Sequence, residues 1–589
     1  MKKTLTTLLS LLIFATSFAY DVQIDNIYYN LDHKNNTAIV THDGKYTDEN
    51  NSGYTQLEIT IPATISYNGV EYNITSIGNN AFYKNATIKS ISITNGVTSI
   101  GSSAFSNCSE LATVSIPNSV NSIGSNAFFY CSSLTSVTMP EKITTIKNYT
   151  FYNCTSLPSI TIPDSVTTIE NYAFSSCSSL QSITIPPSVT KIGNNSFGYC
   201  SSLTSIFIPA ALTSIGERAF RNCTFLASID VDENNPSYAS IDGILYDKNI
   251  TTLIRCPDKK TSVTIPNTVT TIEKAAFENC KLLTSLVIPE NVTTINEYSF
   301  AVCTSLTSFT IPDNIKRIPP YALYNCTGLR TVSISDSVNY IGNSAFAYCY
   351  VLNSITIPNN IHIIEKSTFT NCSRLQTVKL GNAIDTIRSS AFKGCARLET
   401  LKTSTKIPPV IDSTSFAEVS NILQIEVPCN TTSAYKNAKH WSKFDYVENI
   451  HSLTVVPNDE TMGYVLIMKK PSCESPTTEL QANAFQNTDY RFKEWSDGTK
   501  ENPYIFELTC DTTLTAIFEL APTPVENINN SQIKIFTTDN TIHIEGLTND
   551  YQIHTSTGQL IYSGKQTSIS LPKGIYILTT NNYTQKIIL

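Results

Sequence analysis

At 589 residues and a formal net charge of −8, the chain is long enough for several domains and too acidic for a general affinity for nucleic acid or anionic lipid. Charged residues make up only 15%, and Ser, Thr and Asn fill the polar positions, which suits an extracellular protein. Sixteen cysteines would suggest a disulfide framework in an exported chain, but their spacing argues for something else.

Residues 1–19 open with Lys2 and Lys3, continue through the apolar run LLSLLIFA and close on Ser17, Phe18 and Ala19, the small-x-small pattern of a signal peptidase site. The run is shorter than the ~20 apolar residues that span a bilayer, and no later stretch supplies them. The expectation is a cleaved secretory signal and no transmembrane segment. Residues 20–71 read as an N-terminal β-cap.

From residue 72 a repeat takes over. Cys108, Cys131, Cys154, Cys177, Cys200 and Cys223 fall 23 residues apart, as do Cys280, Cys303, Cys326, Cys349, Cys372 and Cys395. A phenylalanine ladder precedes them by three: Phe82, Phe105, Phe128, Phe151, Phe174, Phe197 and Phe220, then Phe277, Phe300, Leu323, Phe346, Phe369 and Phe392. In CSSLQSITIPPSVTKIGNNSFG, Leu180, Ile183 and Ile185 alternate with Ser182 and Thr184 as in a strand, and Pro186 ends it because it has no N–H to give a ladder. Val189, Ile192 and Phe197 supply further apolar positions. One unit cannot bury these groups, but stacked units form continuous rows, and thirteen coils at ~4.8 Å each give a core roughly 60 Å long. The pattern C-x-x-L-x-x-I-x-I-P with this period resembles the leucine-rich repeats of BspA-like bacterial surface antigens over about residues 72–425. The resemblance implies a mainly β fold, a leucine-rich-repeat solenoid of 23-residue coils. Residues 427–450, with Ala434, Ala438 and Trp441 at helical spacing, read as a C-terminal cap that closes the solenoid at 450, with Thr432 or Ser433 capping the helix start.

One unit is long. Phe220 to Phe277 spans 57 residues, so an insertion occupies about 231–263, with Asp242-Gly243 between short apolar runs as a hairpin signal. It reads either as a tolerated loop elaboration or as a specificity element.

After residue 450 the period is lost, and two small β-domains are expected. Residues 451–519 resemble a divergent internalin-type B repeat, on Phe492, Trp495, Asp497, Gly498, Pro503, Ala516 and Phe518. A Pro- and Asn-rich linker covers 520–529. Residues 530–589 resemble the sorting domain of type IX secretion cargo, on Gly558, Gly574, Tyr576 and the final Lys586-Ile587-Ile588-Leu589, although an Asn-Pro common near the start of that domain is missing. This resemblance implies the outer surface of a Gram-negative cell. Cys473 and Cys510 lie outside the ladder and are the expected disulfide.

Chemistry finds little support. Seven scattered histidines (His33, His42, His362, His440, His451, His543 and His554) form no HExxH and no Cys/His pair at metal spacing, and there is no G-x-S-x-G or phosphate-binding loop. Neither enzyme activity, nor a cofactor, nor a metal is expected. The cysteine ladder reads as packed thiols, with occasional disulfides or a metal as alternatives. The Ser/Thr rows 136/138, 159/161 and 182/184 are either a solvated sheet face or a ligand-reading face. Tyr130, Tyr199, Tyr324 and Tyr348, near the ladder cysteines, are either edge packing or rim contacts.

Repetition makes every coil nearly alike, so affinity is expected where the pattern breaks. Phe207 and Val287 put apolar groups, and Lys379 and Lys402 positive charge, at outward strand positions usually held by Ser or Thr; Arg330 lies at a neighbouring position. Phe207 and Val287 flank the insertion, which suggests an apolar patch beside a projecting loop; the rival is that the insertion folds over both and buries them. The expected function is a secreted surface protein that binds a protein ligand, such as a host extracellular or cell-surface protein. Carbohydrate capture from a surface glycan and a passive envelope scaffold are the alternatives.

Overall fold

In the computed structural model the described residues are 20–44, 53–449, 453–473, 475–485, 490–508, 512–521, 534–547, 549–580 and 583–589. The expected signal at 1–19, most of the linker at 520–529 and Cys510 lie outside them. The chain divides into two compact units, 1–401 with 409–423, and 402–408 with 424–589.

The first unit is a β-solenoid. In the coil that begins at Cys177, Leu180, Ile183, Ile185, Val189, Ile192 and Phe197 are all buried, while Thr184 points outward. Successive coils pair in parallel with a 23-residue offset. Ser90 faces Thr113, and Thr113 faces Ser136, on one side of the coil; on the other, Thr145 faces Thr168, which faces Lys191. Because the offset equals the repeat, each position becomes a column of like residues. The ladder phenylalanines stack face to face, from 5.1 Å between Phe82 and Phe105 to 5.8 Å between Phe197 and Phe220. Two rungs escaped the repeat pattern: Tyr54 lies tilted 4.4 Å from Phe82, and Phe416 stacks 5.1 Å from Phe392.

The cysteine column is packed thiol. Thirteen free cysteines are buried among the described residues, the twelve of the ladder and Cys256. Each ladder thiol donates to a carbonyl of the preceding coil, as Cys177 Sγ does to Phe151 O at 3.1 Å, so a small apolar side chain also satisfies a buried acceptor. Burial pushes the Cys177 thiol up to about 12. Where Asn85 replaces cysteine, its side-chain amide makes the same kind of bond, to Tyr54 O at 2.9 Å.

The insertion is built into the solenoid. Strands β1 (Tyr238–Ile241) and β2 (Ile244–Asp247) form the expected hairpin, with Asp242 and Gly243 both at positive φ (50° and 69°), as a two-residue turn of this kind requires. The hairpin does not project. Its tip folds back to the strand side, where Gly243 O accepts from Ile229 N–H at 2.8 Å, and Ile244, Leu245 and Tyr246 are buried. A Cβ at Gly243 would lie 2.7 Å from Ser228 Cβ. Asn235 takes the column position of Val189 and Leu212, and its buried amide donates to Pro209 O (2.7 Å) and Leu212 O (2.9 Å). Strand β3 (Thr252–Arg255) then rejoins the ladder, Thr252 facing Thr271 and Leu253 facing Ile272.

The second unit holds a six-residue helix, Thr432–Asn437, and β-strands gathered on two separate cores. The helix is not capped by Thr432 or Ser433. The N-cap residue is Thr431, with no side-chain cap, and the Glu448 carboxylate accepts from Thr432 N–H at 3.1 Å. One β-core contains Leu480, Trp495, Leu514 and Phe518; the other contains Ile542, Tyr551, Ile553 and Leu578. Cys473 is bonded to Cys429, not to Cys510 as expected, with 5.0 Å between their Cα atoms. The sequence offered no way to choose, because Cys429 follows the last ladder coil and only the chain path after it brings Cys473 alongside.

Candidate charged cleft at the insertion

An ordinary coil carries eight residues from its second strand to its cysteine, as from Ile215 to Cys223, and this stretch contains the turn that holds the phenylalanine. The coil of the insertion goes from Leu253 to Cys256 in three. One turn and one aromatic rung are therefore missing. Arg255 occupies the interior there. Its guanidinium donates to the carbonyls of Glu278 (2.9 Å), Ala275 (3.0 Å) and Phe220 (3.5 Å) and pairs with Asp258. Burial is the largest single influence and works against the Arg255 charge, but Asp258, Cys280, Cys256 and Glu278 together outweigh it and raise its pKa.

Outside this plug the turns at 216–221 and 273–278 stand apart, and a cleft of 770 Å³ opens between them, with Tyr238, Asp247 and Thr252 of the insertion along one side. Glu278, its side chain 2% exposed, receives Arg221 at 3.0 Å and Arg218 at 3.4 Å. The Arg218 guanidinium lies 4.6 Å from the Tyr298 ring centre, and that of Arg221 5.6 Å from Tyr199. At the rim Lys274 lies between Glu217 (3.5 Å) and Glu297 (3.7 Å). Among the described residues eleven buried side-chain polar atoms have no hydrogen-bond partner, and six are here: Arg218 Nε and Nη2, Arg221 Nε, Arg255 Nε, Asp258 Oδ2 and Glu278 Oε2. Native interiors leave few such atoms, so their concentration marks the place.

The strand-face candidates do not form one patch. Phe207 and Val287 are 51% and 80% exposed, so the insertion does not bury them. Phe207 faces Asp230 in the next coil rather than another apolar group. Thr310, Ser333 and Thr356 occupy the rungs between Val287 and Lys379, four strand spacings or ~19 Å apart. Arg330 is exposed, and Lys402 is paired with Glu426 at 2.9 Å. The tyrosines follow the turn edge: Tyr149 stacks on Tyr172 at 4.8 Å, and Tyr130 and Tyr199 are exposed.

The cleft residues went unnoticed in the sequence, yet a signal was there. GERAFR (216–221) and EKAAFE (273–278) each hold three charges in six residues, at turn positions that are uncharged in most coils. No group of three or more His, Cys, Asp or Glu arranged to hold a metal occurs among the described residues, and no described helix is long and apolar enough to cross a membrane.

The family model of the BspA type leucine rich repeat region matches residues 63–157, 144–256, 254–357 and 339–466, most of the chain. The chain belongs to this family. Among solved structures, a leucine rich cell surface protein from Faecalibacterium prausnitzii A2-165 is 31% identical over 65% of this chain and 94% of its own, with a TM-score of 0.52. A leucine-rich repeat protein from Bacteroides ovatus ATCC 8483 is 27% identical over 69% of this chain and 100% of its own, with a TM-score of 0.47. No curated protein matches the chain. The BspA-type likeness accounts for the 23-residue columns; the charged cleft arises where this member departs from them.

Proposed function

We propose that the chain is a secreted surface protein that binds a protein partner, and that the binding centres on the insertion and the coils beside it. One observation carries this: the break in the repeat gathers charged, incompletely hydrogen-bonded side chains around a 770 Å³ cleft, whereas regular coils present Ser, Thr and Asn. Solenoids commonly use their extended surfaces for partners, and long insertions commonly carry specificity. The apparent signal at 1–19 and the sorting-like end support export to the outer surface of a Gram-negative cell, where binding to host or neighbouring-cell proteins amounts to adhesion. The absence of any catalytic motif in the sequence supports a non-enzymatic role.

Capture of host-surface proteins with the purified chain, beside a variant in which 231–263 is replaced by an ordinary 23-residue register, tests the site. Loss of capture with the solenoid still folded is expected. Unchanged capture places binding elsewhere, including the internalin-like domain at 451–519. Deleting 586–589 tests the route: the truncated protein should remain in the periplasm, and normal surface display rules out the sorting role. A glycan reading draws on the Tyr149/Tyr172 stack at the turn edge, and binding on a glycan array with no captured protein would favour it.

A further inference from the structure

The cleft's charges are ordered by depth. At the floor two arginines, Arg218 and Arg221, share one carboxylate, Glu278; Arg218 Nε faces it at 3.4 Å, and Arg218 Nη2 and Arg221 Nε are buried without a hydrogen bond. That floor is one positive charge in excess, because the Arg255–Asp258 pair beneath it is neutral in sum. At the rim the balance reverses. Lys274 lies between two carboxylates, Glu217 and Glu297, which are 69% and 48% exposed, and Glu273 and Asp247 also line the cleft, so the carboxylates here outnumber the lysine by three. Guanidinium groups offer planar pairs of donors that match a carboxylate, and two arginines on a single carboxylate leave donors for a second one.

We propose, resting on the protein-binding reading above, that the cleft takes a partner peptide segment in which an acidic side chain neighbours a basic one. The acidic group enters to complete the arginine floor, and the basic group stays at the rim between Glu217 and Glu297. A purely anionic ligand meets the rim carboxylates, and a purely cationic one meets the arginines, so each loses one of the two contacts. The rings of Tyr298 and Tyr199, 4.6 Å and 5.6 Å from the two guanidiniums, restrict their freedom to follow solvent.

The test uses the full chain and three end-capped, fluorescein-labelled hexapeptides: alternating Glu and Lys, Glu only, and Lys only. Fluorescence anisotropy at low and at physiological salt gives the affinities. The alternating peptide should bind about tenfold or more tightly than either single-sign peptide. Glu297→Gln, at the exposed rim, should reduce binding of the alternating peptide and leave the fold untouched. Arg221→Gln should reduce it further, and Arg218→Lys, which keeps the charge but not the planar fork, serves if Arg221→Gln fails to fold. Equal binding of the three peptides, strongest binding of the Glu-only peptide, or no binding of any of them overturns the proposal. If a captured protein partner is lost with the insertion replacement but unaffected by Glu297→Gln and Arg221→Gln, the protein-binding reading stands and this chemistry falls.

Discussion

Arg255→Met probes the plug that shapes the cleft. Arg255 and Asp258 have side chains 8% and 1% exposed, so the substitution leaves a buried carboxylate without its ion-pair partner. Removing one partner of a buried pair costs about 3–5 kcal/mol, a large part of the 5–15 kcal/mol typical of a folded domain. The carbonyls of Glu278 and Ala275 also lose their close donor. Adding Asp258→Leu removes the stranded charge and buries apolar surface in its place. Replacing both members of a buried pair is often close to neutral, so the double variant should recover about 2–3 kcal/mol of the loss. The remainder belongs to the carbonyls, at about 1 kcal/mol each. Urea unfolding followed by far-ultraviolet circular dichroism measures all three proteins, and at constant slope the midpoints convert directly to stability. A double variant as unstable as the single one would refute the reasoning, because the loss would then come from the guanidinium's packing and not from the stranded charge.

Phe174→Ala removes a ring fully buried between Phe151 at 5.4 Å and Phe197 at 5.5 Å and should cost about 3–5 kcal/mol; an unaltered unfolding midpoint contradicts a cooperative aromatic column. The buried thiols predict alkaline unfolding. The Cys108, Cys177, Cys223, Cys326 and Cys395 thiols are raised by burial from 9.0 to about 12 in the folded state, so their contribution is complete below pH 9 and is lost as pH rises toward 12. Unchanged stability between pH 8 and 12 would count against it. Gly243→Val places a branched side chain at φ 69° against Ser228 and should cost about 1–2 kcal/mol from backbone strain alone, read as a lower thermal midpoint; tolerance of valine would mean that the hairpin tip is not seated on Ile229. Peptide mapping after non-reducing alkylation should yield one bridged pair, Cys429 with Cys473, and ladder thiols that react only after unfolding; bridges between adjacent ladder cysteines would overturn the packed-thiol column.

Most of the fold was legible in the sequence because parallel coils of equal length stack in register. A residue type repeated every 23 positions has one structural consequence, a column, so the phenylalanines, the cysteines and the inward Ile and Leu positions could be assigned from spacing alone. The Asp-Gly turn was equally legible, since its backbone requirement is local. Tyr54 and Phe416 lie off the period, at 28 residues before Phe82 and 24 after Phe392, and only packing places them in the aromatic column. The partner of Cys473 depended on the chain path between two segments with no repeat. The cleft needed the tertiary structure for a different reason. Arg218 and Arg221, Arg255, and Lys274 with Glu278 come from three separate stretches, and they converge because a turn is missing between them. A repeat specifies contacts where it continues; where it lapses, the groups on either side of the gap meet, and the hairpin's route through the core decides which ones.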